Sequence, residues 1–249
     1  MADLAAWKTA KLFAPYYGKT WTKQSDPHAL RLVQDWIDNL EHHLMVDGKG
    51  LLCTGPPGRG KTLLAHLAAD AVLDFAAKHP GWARRKEVLF GTTVHGYMDM
   101  FRLQMDLMEI VRRTGDPSAS ARYMGIEDTV EALRTKIKVV LLDDIGKEHT
   151  TASGFAQNQI ERLVRARGNR GLPTLLTSNY DIATLGKHYG ESFSSYLMQV
   201  CILVPVEGGD HRARSDASLA PVVGIRTGSQ PFSGRPDISL FRSKGRSDD

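Results

Sequence analysis

Apolar positions along the chain alternate between two patterns. Short apolar or β-branched runs bounded by glycine or acids predict buried strands, and longer segments with apolar residues three and four apart predict helices. Leu30, Leu32, Val33, Trp36, Ile37 and Leu40 recur at helical spacing after Asp26, which suits an N-cap before Pro27. This helix is expected to end near Asp47-Gly48. Gly50 to Gly55 (GLLCTG) predicts a buried strand, and Lys61 to Lys78 an Ala- and Leu-rich helix stopped by His79-Pro80-Gly81. Glu87 to Thr92 predicts a second strand. Val94 to Arg113 predicts a helix with a methionine-rich face, broken at Thr114-Gly115-Asp116-Pro117, and a shorter helix covers Glu127 to Lys136. Lys138 to Asp143 (KVVLLD) is the clearest strand signal. A helix over Ser153 to Arg167, a strand over Pro173 to Ser178, a short helix from Asp181 and a last strand over Val200 to Val206 complete the pattern. The class is α/β: a parallel sheet of about five strands flanked by helices.

The two ends differ from this middle. Residues 1–25 set Trp7, Phe13, Tyr16, Tyr17 and Trp21 among lysines and are read as an arm with one short helix, too short to bury a core. After Arg212 the composition turns to Ser, Gly, Pro and Arg, and residues 213–249 are read as a disordered tail. Leu219 to Ile225 and Ile238 to Phe241 are candidate docking patches within it. The folded domain is therefore expected over 26–212. With 42% hydrophobic and 24% charged residues among 249, the chain is not disordered throughout.

Only Cys53 and Cys201 are present, which excludes a disulfide scaffold and a multi-cysteine zinc site. No apolar run approaches the ~20 residues of a membrane span. Lys8 and Lys11 interrupt the apolar N-terminus, so it does not read as a signal peptide. A cytoplasmic protein with reduced thiols and no membrane partner is expected. A net charge of +4 permits nucleic-acid contact without demanding it.

Gly55-Pro56-Pro57-Gly58-Arg59-Gly60-Lys61-Thr62 fits GxxxxGK[ST] between a predicted strand and a predicted helix. Glycines let successive N–H groups converge on phosphate oxygens, and the helix dipole favours the same anion. Pro56 and Pro57 have no N–H, so the cradle falls to residues 58–62, including Arg59. Lys61 suits the β- and γ-phosphates of ATP, and the Thr62 hydroxyl suits Mg²⁺. The KVVLL run ends in Asp143 and Asp144. Such a strand end supplies the carboxylate that holds magnesium, assigned to Asp143, and Asp144 is placed to polarise the attacking water. Thr177-Ser178-Asn179 ends another strand, from which Asn179 can reach the γ-phosphate or its water.

Together these residues resemble the AAA+ ATPases of the DnaC/DnaI helicase-loader group, with the IstB transposition ATPases as close relatives. The resemblance rests on GPPGRGKT (55–62), VVLLDDIGKE (139–148), GLPTLLTSN (171–179) and GGDHR (208–212). It implies an AAA+ core without a full C-terminal lid domain. It also implies a Walker A loop at Gly55 to Thr62, a Walker B pair at Asp143 and Asp144, sensor 1 at Asn179 and sensor 2 at Arg212. Helical structure between Val94 and Lys136 lies where initiator-type members carry extra helices, and its Met98, Met100, Met105 and Met108 are assigned to the core. The implied function is a DNA-replication ATPase that binds ATP-Mg²⁺ and single-stranded DNA, assembles with itself through the ATP site and acts on a replicative helicase.

Two departures stand out. The group usually writes Ser-Arg-Leu on the helix after sensor 1, the arginine acting on a neighbour's ATP; this chain has Ser195-Tyr196-Leu197. Weak hydrolysis is expected, or an arginine supplied by Arg162, Arg165, Arg167 or a partner. The loaders also carry a longer N-terminal domain that grips the helicase, whereas little of this sequence precedes Asp26. Three other readings stay open: an IstB-like transposition helper, a small-molecule kinase and an ATP-bound interaction module with little hydrolysis.

Overall fold

The computed structural model describes residues 26–84, 87–148 and 154–209. The arm at 1–25, the tail at 213–249 and Arg212 lie outside the described residues.

Five strands form one parallel sheet: β1 (Gly50–Thr54), β2 (Leu89–Thr93), β3 (Val139–Ile145), β4 (Thr174–Ser178) and β5 (Cys201–Pro205). Their spatial order is β2-β3-β4-β1-β5. Both faces are covered, so the strands read as continuous apolar runs. Leu51, Cys53, Val139, Leu141 and Leu175 face one layer, where α1 (Pro27–Asp38) and α2 (Lys61–Lys78) pack with Val33, Trp36, Leu64 and Val72. Leu52, Val140, Leu142 and Leu176 face the other. There the layer is α3 (Val94–Thr114), α4 (Pro117–Thr135), α5 (Phe155–Gly168), α6 (Ile182–Tyr189) and α7 (Glu191–Val200). Among the described residues, no helix is long and apolar enough to cross a membrane.

Several boundaries differ from expectation. The first helix stops at Asp38, and the chain continues through a helical turn (Leu40–His42) and a π-helical turn (His43–Asp47) to Gly48 in the left-handed region. Strand β2 starts at Leu89 rather than Glu87. The helix expected over Glu127 to Lys136 begins ten residues earlier, at Pro117. The Asp116 carboxylate caps it by accepting the Ser118 N–H at 2.8 Å, and Pro117 fills the first helical position. The same Asp-Pro pair that breaks α3 therefore starts α4. The methionines also divide: Met98 and Met100 are buried, whereas Met105 and Met108 are about half exposed (54% and 46%).

Arg167 is fully buried and cannot serve a neighbouring subunit as an arginine finger. Its guanidinium donates to the carbonyls of Leu133, Ile137, Lys138 and Pro173 and to Thr174 Oγ1. It ties the C-terminal end of α4 to the entry of β4. Cys53 and Cys201 are free and buried on adjacent strands, but Cys201 is in register with Gly50 and Cys53 with Val204. Burial pushes both thiols up to about 12, so they behave as small hydrophobes.

Candidate functional site

Strand β1 runs into the 55–60 loop and the loop into α2. Gly55 has φ +140°, and a Cβ there would lie 2.3 Å from the Val206 carbonyl oxygen. Only glycine fits where the chain leaving β5 crosses the loop. Gly58 and Gly60 have φ +78° and +89°, and Gly60 caps α2 in the left-handed region. This curvature leaves the first-turn N–H groups of α2 without intrahelical partners, the arrangement that receives anions. Lys61 is 5% exposed, and its ammonium donates to the Pro56 carbonyl at 2.8 Å, across the loop.

The residue after Lys61 reaches the acidic strand. Thr62 Oγ1 donates to Asp143 Oδ1 at 3.0 Å. Strand β4 lies between β1 and β3, and its Thr177 completes the link. Thr177 Oγ1 donates to the same Asp143 oxygen at 2.6 Å and accepts the Asp144 N–H at 2.8 Å. Asp143 is 8% exposed. Burial raises its carboxyl above the usual range, the Thr177 hydrogen bond opposes this, and Asp144 adds to the rise.

Asp144 sits on a bulge. The β3–β4 register runs Leu142 to Leu176 and then Ile145 to Ser178, one residue more on β3 than on β4. Among the described residues Asp144 is the one non-glycine residue with positive φ, at +65°. That conformation turns its carboxylate toward Asn179, whose Nδ2 lies 3.4 Å from Oδ1, and toward Lys147, whose ammonium lies 2.9 Å from Oδ2.

The expected residues thus fall into two connected groups. Lys61, Thr62 and Asp143 meet at the start of α2, and Asp144 and Asn179 meet at the tips of β3 and β4. Thr177 joins them and was missed as a site residue. Its signal was the Thr-Ser-Asn run, whose first member becomes important only once β4 is known to flank β3. The Arg59 side chain points away from this centre: it donates to the Glu207 carbonyl at 2.8 Å, while the Glu207 N–H reaches the Asp26 carboxylate at 2.8 Å. Arg59 therefore contributes backbone to the loop and its side chain to the junction of α1 with the chain after β5.

Tyr196 lies on α7 against α5. Its hydroxyl donates to Asn169 Oδ1 at 3.1 Å, and its ring stacks under the Arg165 guanidinium at 4.7 Å. Arg165 also pairs with Glu161 at 2.7 Å and donates to Ser192 at 3.1 Å. Arg162 is exposed.

The donors fit a magnesium-bound triphosphate. A hydroxyl and a carboxylate supply hard oxygen ligands, and a buried ammonium stands beside a loop of glycine-directed N–H groups.

No family model matches the chain, and no curated protein does. Solved structures do share its fold. It is similar to the DnaC helicase loader, with 20% identity and a TM-score of 0.53 over 80% of this chain and 100% of that one. It is similar to domain III of the replication initiation protein DnaA from Thermotoga maritima, with 16% identity and a TM-score of 0.50 over 78% of this chain and 68% of that one. A third is the replication initiator DnaA bound to AMPPCP and single-stranded DNA, with 16% identity and a TM-score of 0.50. The match covers 75% of this chain but 47% of that one, so the chain aligns with about half of that initiator's length. The chain shares its fold with these proteins.

Proposed function

We propose that this protein is an ATPase of the helicase-loader type that binds ATP-Mg²⁺ and single-stranded DNA and acts on a replicative helicase. The observation that carries the reading is the chain of contacts Thr62–Asp143–Thr177–Asp144, which puts a phosphate cradle and two strand-end acids in one hydrogen-bonded unit. Residues 58–62 bind the triphosphate through backbone N–H groups, and Lys61 exchanges its Pro56 carbonyl for phosphate oxygens. Thr62 and Asp143 would hold magnesium, which would supply positive charge against the phosphates. Asp144 takes the proton of the attacking water, and Asn179, beside it, orients that water against the γ-phosphate. Arg212 is proposed to add positive charge from the same subunit. DNA, the helicase and self-assembly through the ATP site come into the proposal from the resemblance and from the shared fold. The domain division, an arm at 1–25, an ATPase domain at 26–212 and a tail at 213–249, is likewise a proposal.

The test is nucleotide affinity and steady-state phosphate release, with and without single-stranded DNA, against Lys61→Ala. Binding that Lys61→Ala abolishes supports the reading. Wild-type protein without affinity for ATP or ADP in magnesium buffer overturns it. Complex mass with a candidate replicative helicase, with and without ATP, tests the partner.

One observation favours slow turnover. The Asp144 carboxylate already holds the Lys147 ammonium, which occupies one of its two oxygens. With tyrosine at 196, this supports an ATP-bound module whose hydrolysis waits for an arginine from elsewhere. Tyr196→Arg and Lys147→Ala should each raise phosphate release. A wild type that is already fast and unchanged by Tyr196→Arg rules the slow reading out.

A further inference from the structure

We propose that Glu148 is a positioning residue for the hydrolytic side of the nucleotide site. It clamps the turn that carries Asp144 onto the helix that follows Asn179, an inference that rests on the ATPase reading above. The Glu148 side chain is 1% exposed, and a buried carboxylate is costly unless its oxygens are engaged. Both oxygens are. Oε2 accepts the Gly146 N–H at 2.9 Å, and Oε1 lies 2.9 Å from His188 Nε2. The Tyr189 hydroxyl accepts the same Gly146 N–H at 2.9 Å. Burial, reinforced by the nearby Glu148, pushes that phenol well above its ordinary value, so it stays protonated.

These contacts join two segments that meet in the site. Gly146 lies two residues after Asp144, in a turn with φ +92° where a Cβ would come 2.6 Å from Tyr180 Cδ2. The turn is thus held between Tyr180 on one side and Tyr189 on the other. Its preceding carbonyl, that of Ile145, accepts Ser178 Oγ at 2.8 Å. His188 and Tyr189 end α6, whose N-cap Asp181 is two residues after Asn179. One carboxylate therefore fixes the far side of the turn bearing Asp144 to the far end of the helix anchored beside Asn179. The 3.4 Å approach of Asn179 to Asp144 depends on that frame. The phosphate loop and Asp143 do not touch it. Binding and hydrolysis are consequently separable: losing the clamp loosens Asp144 against Asn179 and leaves the Lys61–Thr62–Asp143 group in place.

The experiment uses the full chain with Glu148→Ala, Glu148→Gln, His188→Gln and Tyr189→Phe. It measures equilibrium ATP affinity, single-turnover phosphate release and thermal unfolding. A misplacement of 1 Å can cost about 10²-fold, so Glu148→Ala should lose at least about tenfold in single-turnover rate. Its ATP affinity should stay within about threefold of wild type, the split expected of a group acting on the chemical step. Glu148→Gln keeps one acceptor and should fall between. His188→Gln keeps a donor toward Glu148 and should recover most of the rate. Should Glu148→Ala fail to fold, Tyr189→Phe, which removes a single hydroxyl, must show the same rate loss with affinity retained. A folded Glu148→Ala with wild-type turnover, or rate and affinity falling together, overturns this inference alone. A wild type that binds no nucleotide overturns the ATPase reading and this inference with it.

Discussion

Replacing Thr177 with valine keeps the side chain's shape and removes one hydroxyl. Thr177 is fully buried, so no water takes over its bonds. Two contacts are lost: the 2.6 Å hydrogen bond to Asp143 and the 2.8 Å bond from the Asp144 N–H. A hydrogen bond to a charged group contributes about 1.5–3 kcal/mol, and a buried N–H left without an acceptor costs about 1–3 kcal/mol. The sum is roughly 2.5–6 kcal/mol. For a domain of this size each kcal/mol moves the unfolding midpoint by about 2–4 °C, so a drop of at least ~5 °C is expected. The hydroxyl is also what most strongly opposes the burial-driven rise of the Asp143 carboxyl, so that group should titrate higher still in the variant. On the proposed function, magnesium-dependent ATP affinity needs the ionised form. It should therefore weaken more steeply in Thr177→Val than in wild type as pH falls. Thr177→Ser restores the hydroxyl and should recover all but about 1 kcal/mol, the value of one methyl group. The checks are thermal unfolding and an affinity-versus-pH series. A Thr177→Val midpoint within ~1 °C of wild type, with an unchanged pH series, would refute the bridging role.

Arg167→Met should destabilise the fold by about 3–5 kcal/mol, because relief from burying a guanidinium does not compensate for carbonyls left without donors at the end of α4 and the start of β4. Chemical denaturation measures this. A stable variant that had lost only turnover would show Arg167 acting on ATP after all. His66 is 4% exposed, and burial lowers its imidazole from 6.5 to about 4. The unfolded chain then binds the extra proton between those values, so the stability is complete above pH 6.5 and is lost as pH falls toward 4. The span corresponds to about 3 kcal/mol, and His66→Phe should flatten that acid limb in a stability-versus-pH series.

The strands were legible in the sequence because both sheet faces are covered. Each becomes an apolar run that needs no partner to be recognised, as LLCT and VVLLD show. The 55–62 loop was legible for a related reason: its geometry is set by adjacent residues, with Gly55, Gly58 and Gly60 taking up positive φ where the spacing requires it. The first half of α4 was not, because residues 117–126 lack a regular apolar stripe and Pro117 carries the same letter whether it ends a helix or starts one. Thr177 and Glu148 were missed because their roles arise from pairings across 34 and 40 residues, Thr177 with Asp143 and Glu148 with His188. Arg167 looked like one of three equivalent arginines on a helix. Only the packing of α4 and β4 around it separates it from exposed Arg162.

The bulge in β3 explains how two consecutive aspartates serve one site. In a regular strand, neighbouring side chains point to opposite faces, so Asp143 and Asp144 would be divided between the two helical layers. The extra residue between Leu142 and Ile145 breaks that alternation at the strand tip. Asp143 keeps its strand direction and turns to Thr62, and Asp144 swings into the left-handed region toward Asn179. Aspartate is among the side chains that tolerate this backbone best, whereas a β-branched residue would be strained there. The conformation also presents the Asp144 N–H to Thr177, so the hydroxyl that steadies the first acid holds the backbone of the second. The two acids therefore share the Thr177 hydroxyl, each through its own hydrogen bond. Any substitution that lets β3 slip back into regular register against β4 should remove Asp144 from the site while leaving the contact between Thr62 and Asp143 intact.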